Sequence, residues 1–329
     1  MSEFYTEKIE KSPRIDKLKA DLFKLPPQIE ADRAELLSES YKATEGEPII
    51  MRRAKAFEHI LDNIPIIIRD GELIAGSATI RPRSCQVFPE FSFEWLEKEF
   101  DTVATRTADP FYISEDTKKT LHEVYKYWKG KTTSDLATSY MTPETLMAMK
   151  HNMFTPGNYF YNGIGHVTVD YGKVITYGYS EYIEEIEDEL SSMRVSDGNY
   201  CKKHALLEAM LISLRAVIRY AKRYSRLAKE MAGRESDGKR REELLKISEA
   251  CDRVPEFGAR DFHEACQSFW FVQMLLQTES SGHSISPGRF DQYMYPHYKK
   301  SLEAGMSREQ AQELIDCVWV KLNDLNKCR

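Results

Sequence analysis

Apolar residues recur at helical spacing through much of this chain, and that period defines most of its elements. Glu30–Tyr41 and Ile49–Leu61 read as amphipathic helices. Ser114–Trp128 reads as a helix with Ser114 as its N-cap, and Thr142-Pro143 starts another, because proline is tolerated at the first helical position. Between Ala205 and Met231 the face Leu206, Met210, Ser213, Val217, Tyr220, Tyr224, Leu227 and Met231 keeps the period, with Arg and Lys opposite. A polar turn at Gly233–Gly238 leads into a helix over Lys239–Cys251. Asp261 and Glu264 form a cap-like pair before Ala265–Gln277, which is apolar almost all round and therefore predicted to be buried. Ser307 and Gln310 make a capping box for a last helix whose apolar face is Ala311, Leu314, Ile315, Val318, Leu322 and Leu325. Two short apolar runs, Ile64–Ile68 and Leu73–Ser77, bracket an Asp70-Gly71 turn and read as strands. Arg81–Ser92 reads as an irregular, proline-punctuated loop.

The helical pattern breaks twice in ways that bear on chemistry. Gly282–Tyr298 follows the buried helix and places His283, Ser284, Arg289 and Asp291 close together. Asn158–Tyr171 holds Asn158 and His166 among glycines. Small polar turns at the end of a buried element are where binding sites are built. An imidazole can donate and accept near neutral pH, so His166 and His283 are candidate proton carriers or hydroxyl ligands. The competing reading of His166 is a hydrogen-bonded loop histidine, and that of His283-Ser284 a solvated loop. Asp170 lies four residues beyond His166; in an extended segment it would share a face with the ring and orient it, or else it caps a turn. Phe290, Tyr293, Met294, Tyr295 and Tyr298 favour a packed second loop, and packed polar groups need partners such as a polyol.

Composition narrows the classes. The chain has 329 residues, 42% hydrophobic and 30% charged, with a formal net charge of −6. Acids and bases are interspersed without a basic stripe, which argues against nucleic acid. The charged N-terminus is not a signal peptide, and no apolar run is long enough to span a membrane, so a cytoplasmic protein is expected. The acidic run Glu184–Glu189 reads as a solvated helix face. Six cysteines, Cys85, Cys201, Cys251, Cys266, Cys317 and Cys328, form no CxxC pair; several sit on apolar faces as small core residues, and none has an obvious activating base. Ser284, His283 and Asp291 lack the elbow of a hydrolase triad. His283, His297 and Asp291 lack metal-ligand spacing, so no metal is assigned. No phosphate loop or dinucleotide fingerprint is present. The last helix runs to Arg329 without a stop signal, which is read as truncation.

Gly282-His283-Ser284, Ser286-Pro287, Arg289-Phe290-Asp291-Gln292-Tyr293 and Tyr295-Pro296 resemble the pyruvate formate-lyase-like glycyl radical enzymes. So do Arg52-Arg53-Ala54, Asp70–Gly76, Val87–Phe91 and Ala311–Asn323. Within that family Asn158–His166 and Gly282–Ser284 look most like the B12-independent glycerol and propane-1,2-diol dehydratases, although Gly288 stands where the glycerol enzyme is expected to have alanine. The resemblance implies an α/β fold: the helix-rich N-terminal half of a ten-stranded α/β barrel, with 1–329 the N-terminal part of a single domain. The catalytic cysteine loop and the C-terminal glycine radical domain are absent from this sequence, and none of its cysteines takes the thiyl role.

By the same resemblance, Asn158, His166, His283 and Ser284 bind a small diol, with His166 and His283 as catalytic residues. The implied reaction converts glycerol or propane-1,2-diol to an aldehyde and water by radical elimination. The cofactor would be a glycyl radical of the full-length enzyme, installed by a radical S-adenosylmethionine activase, and family members are usually homodimers. A complete enzyme would thus be a carbon–oxygen lyase, the present chain alone being inactive. The alternatives are another glycyl radical lyase, an acyltransferase like pyruvate formate-lyase, or a non-catalytic half-barrel with an exposed edge.

Overall fold

A computed structural model describes residues 12–157 and 160–328. Among the described residues the helices are α1 (Pro13–Phe23), α2 (Asp32–Ala43), α3 (Ile49–Asn63), α4 (Glu94–Lys98), α5 (Glu115–Trp128), α6 (Thr133–Ser139), α7 (Pro143–Lys150), α8 (Tyr171–Tyr177), α9 (Tyr179–Ser192), α10 (Tyr200–Arg234), α11 (Gly238–Arg253), α12 (Phe262–Glu279), α13 (Phe290–Glu303) and α14 (Arg308–Asp324). The strands are β1 (Ile29–Glu30) and β2 (Cys85–Gln86), paired in parallel with Ile29 opposite Cys85. Parallel bridges also join Gln28 to Tyr112 and Thr168 to Ser286.

Local signals set the helix starts. Ser114, Thr142 and Asp261 each accept a backbone N–H of the first turn through their side chains. Ser307 and Gln310 form the reciprocal capping box. The Asp261 pair departs from a box: Asp261 accepts the Glu264 N–H, while Glu264 turns back to the N–H and guanidinium of Arg260. The first predicted helix begins two residues late, because Ile29 and Glu30 are taken by the pairing with β2, inside the supposed loop Arg81–Ser92. The predicted face of α10 is buried at Val217, Tyr220 and Tyr224, but Leu206 and Met210 are exposed. They line an apolar cleft of about 530 Å³ between α3, α10 and α12. Glu184, Glu185, Glu187, Asp188 and Glu189 do lie on the exposed face of α9.

The expected strands Ile64–Ile68 and Leu73–Ser77 are irregular. In Leu73–Ser77 side chains, not a neighbouring strand, meet the backbone groups. Gln267 bonds both the N–H and the carbonyl of Ala75 at 2.8 Å. His263 reaches the Leu73 carbonyl, Trp270 the Gly76 carbonyl, and the Tyr224 hydroxyl accepts the Ser77 N–H. From α14, buried Lys321 donates to Glu72 at 2.6 Å and to the Gly76 carbonyl at 2.9 Å. Hydropathy alone cannot distinguish such a segment from a buried strand.

One continuous core gathers around α12, which packs on α8, α11, α13 and α14. Cys266, Phe269, Trp270, Phe271 and Met274 of α12 are fully buried, as its pattern predicts. Its C-terminal end would leave carbonyls unpaired. Arg33, itself 1% exposed, donates to the Thr278 carbonyl at 2.7 Å and to the Glu279 carbonyl at 3.1 Å. The same guanidinium makes a two-pronged pair with Glu90 at 2.7 and 3.2 Å. Arg53 adds bonds to the Glu279 carboxylate at 2.6 Å and its carbonyl at 2.7 Å. Burial works against the Arg53 cation, but the charges of Glu90 and Glu279 outweigh it and hold its pKa above the ordinary value. Cations at a helix C-terminus also oppose the negative end of its dipole. Among the described residues no helix is long and apolar enough to cross a membrane.

Arg33→Met should lower unfolding free energy by about 3–5 kcal/mol, because it removes the two-pronged partner of the buried Glu90 carboxylate, leaving it Arg53 at 3.6 Å, and takes the donor from the Thr278 carbonyl. Denaturant unfolding measures this, and a loss below about 1 kcal/mol would contradict the role of the clamp. A second expectation concerns pH. Burial lowers the pKa of His263 from its ordinary 6.5. The unfolded chain thus takes up a proton that the folded chain refuses. This stability is fully present above about pH 6.5 and is lost as pH falls toward the folded value. His297 is shifted the same way, by burial and then by Lys300. The melting temperature should therefore fall below about pH 6.5, and less steeply in His263→Gln; equal slopes would remove His263 as a cause.

Candidate active site

The two sequence breaks meet. The His166 N–H donates to the His283 carbonyl at 2.8 Å, and the Ser286 N–H donates to the Val167 carbonyl at 2.9 Å. With the Thr168–Ser286 bridge, these bonds form a short parallel pair of segments beside α12. Their approach requires glycine. A Cβ at Gly282 would lie 1.7 Å from the Ile164 oxygen, and one at Gly165 would lie 2.2 Å from the His283 oxygen.

His166 (φ 54°) and Ser284 (φ 56°) both occupy the left-handed backbone region. For residues with a side chain this costs on the order of 1–3 kcal/mol each and persists only where surrounding structure enforces it. The paired backbone and the glycine contacts supply that enforcement. Gly288 is also left-handed (φ 66°), and a Cβ there would meet the Thr168 methyl at 2.9 Å. That geometry favours glycine over the alanine expected from the glycerol enzyme.

The pairing brings Nε2 of His166 within 2.9 Å of Nε2 of His283, with ring centroids 4.6 Å apart and planes at 81°. Two N–H groups cannot face each other at this distance, so one nitrogen carries the proton and the other the lone pair. The couple therefore combines a donor and an acceptor at one point. His166 and Ser284 are exposed and His283 is half-buried. Ser280 adds a hydrogen bond from its hydroxyl to the Ile164 carbonyl at 3.3 Å.

Other candidates fall elsewhere. Asn158 lies outside the described residues. Asp170 is the N-cap of α8, accepting the Lys173 N–H at 3.0 Å, so of its two readings the capping one holds. Arg289 and Asp291 are exposed at the start of α13. Of the large side chains crowded there, Met294 is buried and Phe290 and Tyr293 pack against the core, but Tyr295 is exposed. Among the described residues no three His, Cys, Asp or Glu side chains converge as a metal-ligand group. Cys85, Cys251, Cys266 and Cys317 are buried, and burial pushes their thiols up, that of Cys317 to about 12.

Sequence reading missed Arg33, Glu90 and Glu279 as supports of this site. The motifs that contain Arg53 and Val87–Phe91 were legible only as family markers. In space Phe91 lies where a Cβ on Gly163 would come within 2.9 Å of its ring, so these distant motifs converge behind the histidine loops.

Residues 5–329 match the family described as pyruvate formate lyase-like, and the chain belongs to that family of glycyl radical enzymes. It superimposes with a TM-score of 0.96 and 63% identity on a protein from Roseburia inulinivorans studied for 1,2-propanediol dehydration, covering 98% of this chain and 39% of that one. The glycerol-bound B12-independent glycerol dehydratase from Clostridium butyricum gives a TM-score of 0.95 at 51% identity, covering 98% and 41%. The (2S)-3-sulfopropanediol dehydratase of Klebsiella oxytoca is 33% identical over 323 residues, 96% of this chain and 39% of its own length. The helix-rich α/β fold is thus that of the N-terminal part of these enzymes, and the chain spans about 40% of their length.

Gly282→Ala should force the two loops apart. The expected loss is about 1–3 kcal/mol of stability, the cost of overpacking, together with separation of the two imidazole resonances from their shared environment. Calorimetry and NMR of the ring protons test both; unchanged stability with an unchanged imidazole pair would contradict the contact.

Proposed function

We propose that this chain forms the diol-binding part of a glycyl radical dehydratase that converts propane-1,2-diol or glycerol to an aldehyde and water. The observation that carries the reading is the His166–His283 couple, held at 2.9 Å by two strained, glycine-dependent loops. When a diol replaces the bond between the two rings, one nitrogen can donate to one hydroxyl and the other accept from its neighbour. The 63% and 51% identities to proteins of propanediol and glycerol dehydration support the same substrate class. A sulfonate or carboxylate substrate would favour a clamping arginine. The arginines at the end of α12, Arg33 and Arg53, are instead committed to Glu90, Glu279 and carbonyls.

A radical stored on a glycine, passed through a cysteine, would supply hydrogen-atom abstraction from the carbinol carbon; the buried thiols of this chain do not fit that role. What this chain supplies is binding and proton movement. His283 and Ser284 hold the hydroxyls and aim the carbinol carbon. His166 gives a proton to the departing hydroxyl as its carbon–oxygen bond breaks, so that oxygen leaves as water, while the carbinol hydroxyl passes its proton to His283 and its oxygen becomes the aldehyde carbonyl. Asn158 adds a hydrogen bond. Alignment of this kind is worth on the order of 7–11 kcal/mol of barrier at best. His166 and Ser284 are exposed in this chain. In a protein of the relatives' length the remaining part would cover them and exclude water. A radical S-adenosylmethionine activase, a homodimer and a cytoplasmic location complete the proposal.

His166→Ala, in a protein that carries this chain with the family's cysteine loop and glycine domain, should abolish aldehyde formation while the glycyl radical still forms. An aldehyde assay beside electron paramagnetic resonance tests this. Normal turnover in the variant would remove His166 from the mechanism.

A further inference from the structure

Behind the histidine couple runs a buried hydrogen-bond chain that the reaction itself does not use. The Tyr171 hydroxyl donates to Oε1 of Gln273, and Nε2 of Gln273 donates to the Ile285 carbonyl at 3.3 Å. Tyr171 is 1% exposed and Gln273 is 4% exposed. The Tyr171 ring is fixed by stacking on Tyr293, centroids 6.0 Å apart, and by Phe269 at 5.1 Å. Burial raises the Tyr171 pKa, so its hydroxyl remains a donor through the neutral range. Tyr171 closes the segment that carries His166, whereas Ile285 follows Ser284 in the segment that carries His283. Gln273 stands on α12 between them.

We infer that Gln273, bridged by Tyr171, is a positioning residue that sets the separation of His166 and His283. The inference rests on the proposed function only for its kinetic consequence. The neutral amide has the one combination of groups this place requires: an acceptor toward the tyrosine and a donor toward the carbonyl. An apolar side chain of similar length would leave the Tyr171 hydroxyl and the Ile285 carbonyl buried without partners. The segment between Ser284 and Ser286 would then lose its tie to α12, and the His283 backbone, to which the His166 N–H is bonded, would shift with it.

Gln267 provides a control. It is a fully buried amide on the same helix, but its hydrogen bonds go to the Ala75 backbone rather than toward the histidine segments. Gln273→Met and Gln267→Met should both lower the melting temperature. Only Gln273→Met, and more weakly Tyr171→Phe, should change the imidazole NMR titration of His166 and His283 in the 329-residue chain. Assayed in a protein with the family's cysteine loop and glycine domain, Gln273→Met should lower kcat on propane-1,2-diol by on the order of tenfold to a hundredfold, the scale expected for a misplacement of about an ångström, with unaltered radical content. The double variant Tyr171→Phe/Gln273→Met should be no worse than Gln273→Met alone, because the chain acts as a unit. An unchanged imidazole titration in Gln273→Met, or an equal change in Gln267→Met, overturns the inference. A parent protein that turns over no diol, with the titration difference intact, removes the dehydratase reading and leaves the positioning role standing.

Discussion

The buried guanidinium of Arg33 is the constraint on which the site depends. It joins α2, the Val87–Glu90 segment and the last carbonyls of α12 through one planar group. A charge that deep is costly unless every donor finds a partner, and its bidentate pair with Glu90 together with the Val87, Thr278 and Glu279 carbonyls meets that demand. Because the histidine loop begins where α12 ends, the clamp fixes its point of departure. Arg53 repeats the arrangement from α3 at the half-buried rim. A hydrophobic contact could hold the helix but not its end: only directed donors satisfy carbonyls that lack an intrahelical partner.

From that fixed origin, glycine contacts and left-handed residues convert chain direction into chemistry. Gly165 and Gly282 let two backbones pass closer than any side chain permits. His166 and Ser284 are held in a conformation that costs free energy, and the cost falls on exposed residues of the two loops rather than on the core. A rigid platform of this sort suits the proposed dehydration, in which the hydroxyls must be aligned before a hydrogen atom is taken from the substrate.

Much of this was legible in the sequence, for identifiable reasons. Helices with caps of their own, such as those begun by Ser114 and Ser307, carry their boundary signals locally. His166 and His283 were legible because each interrupts a helical pattern with glycine and polar residues, and the family resemblance tied the two breaks to one pocket. What stayed hidden was long-range pairing. Leu73–Ser77 has the hydropathy of a strand but is held by side chains of Gln267, Trp270 and Lys321, some two hundred residues away. Lys321 and Asp324 interrupt the apolar face of α14, yet both are buried with partners on the Arg69–Ser77 segment. Asp170 was ambiguous because capping and ring orientation need the same residue at the same spacing.

The most direct test of the account is a diffraction structure of this chain, within a protein of the relatives' length, soaked with propane-1,2-diol. The account predicts the two hydroxyls within about 3 Å of the ring nitrogens of His166 and His283, with Ser284 at the same end. A diol bound elsewhere, with the two imidazoles still bonded to each other and no hydroxyl near either, would contradict it.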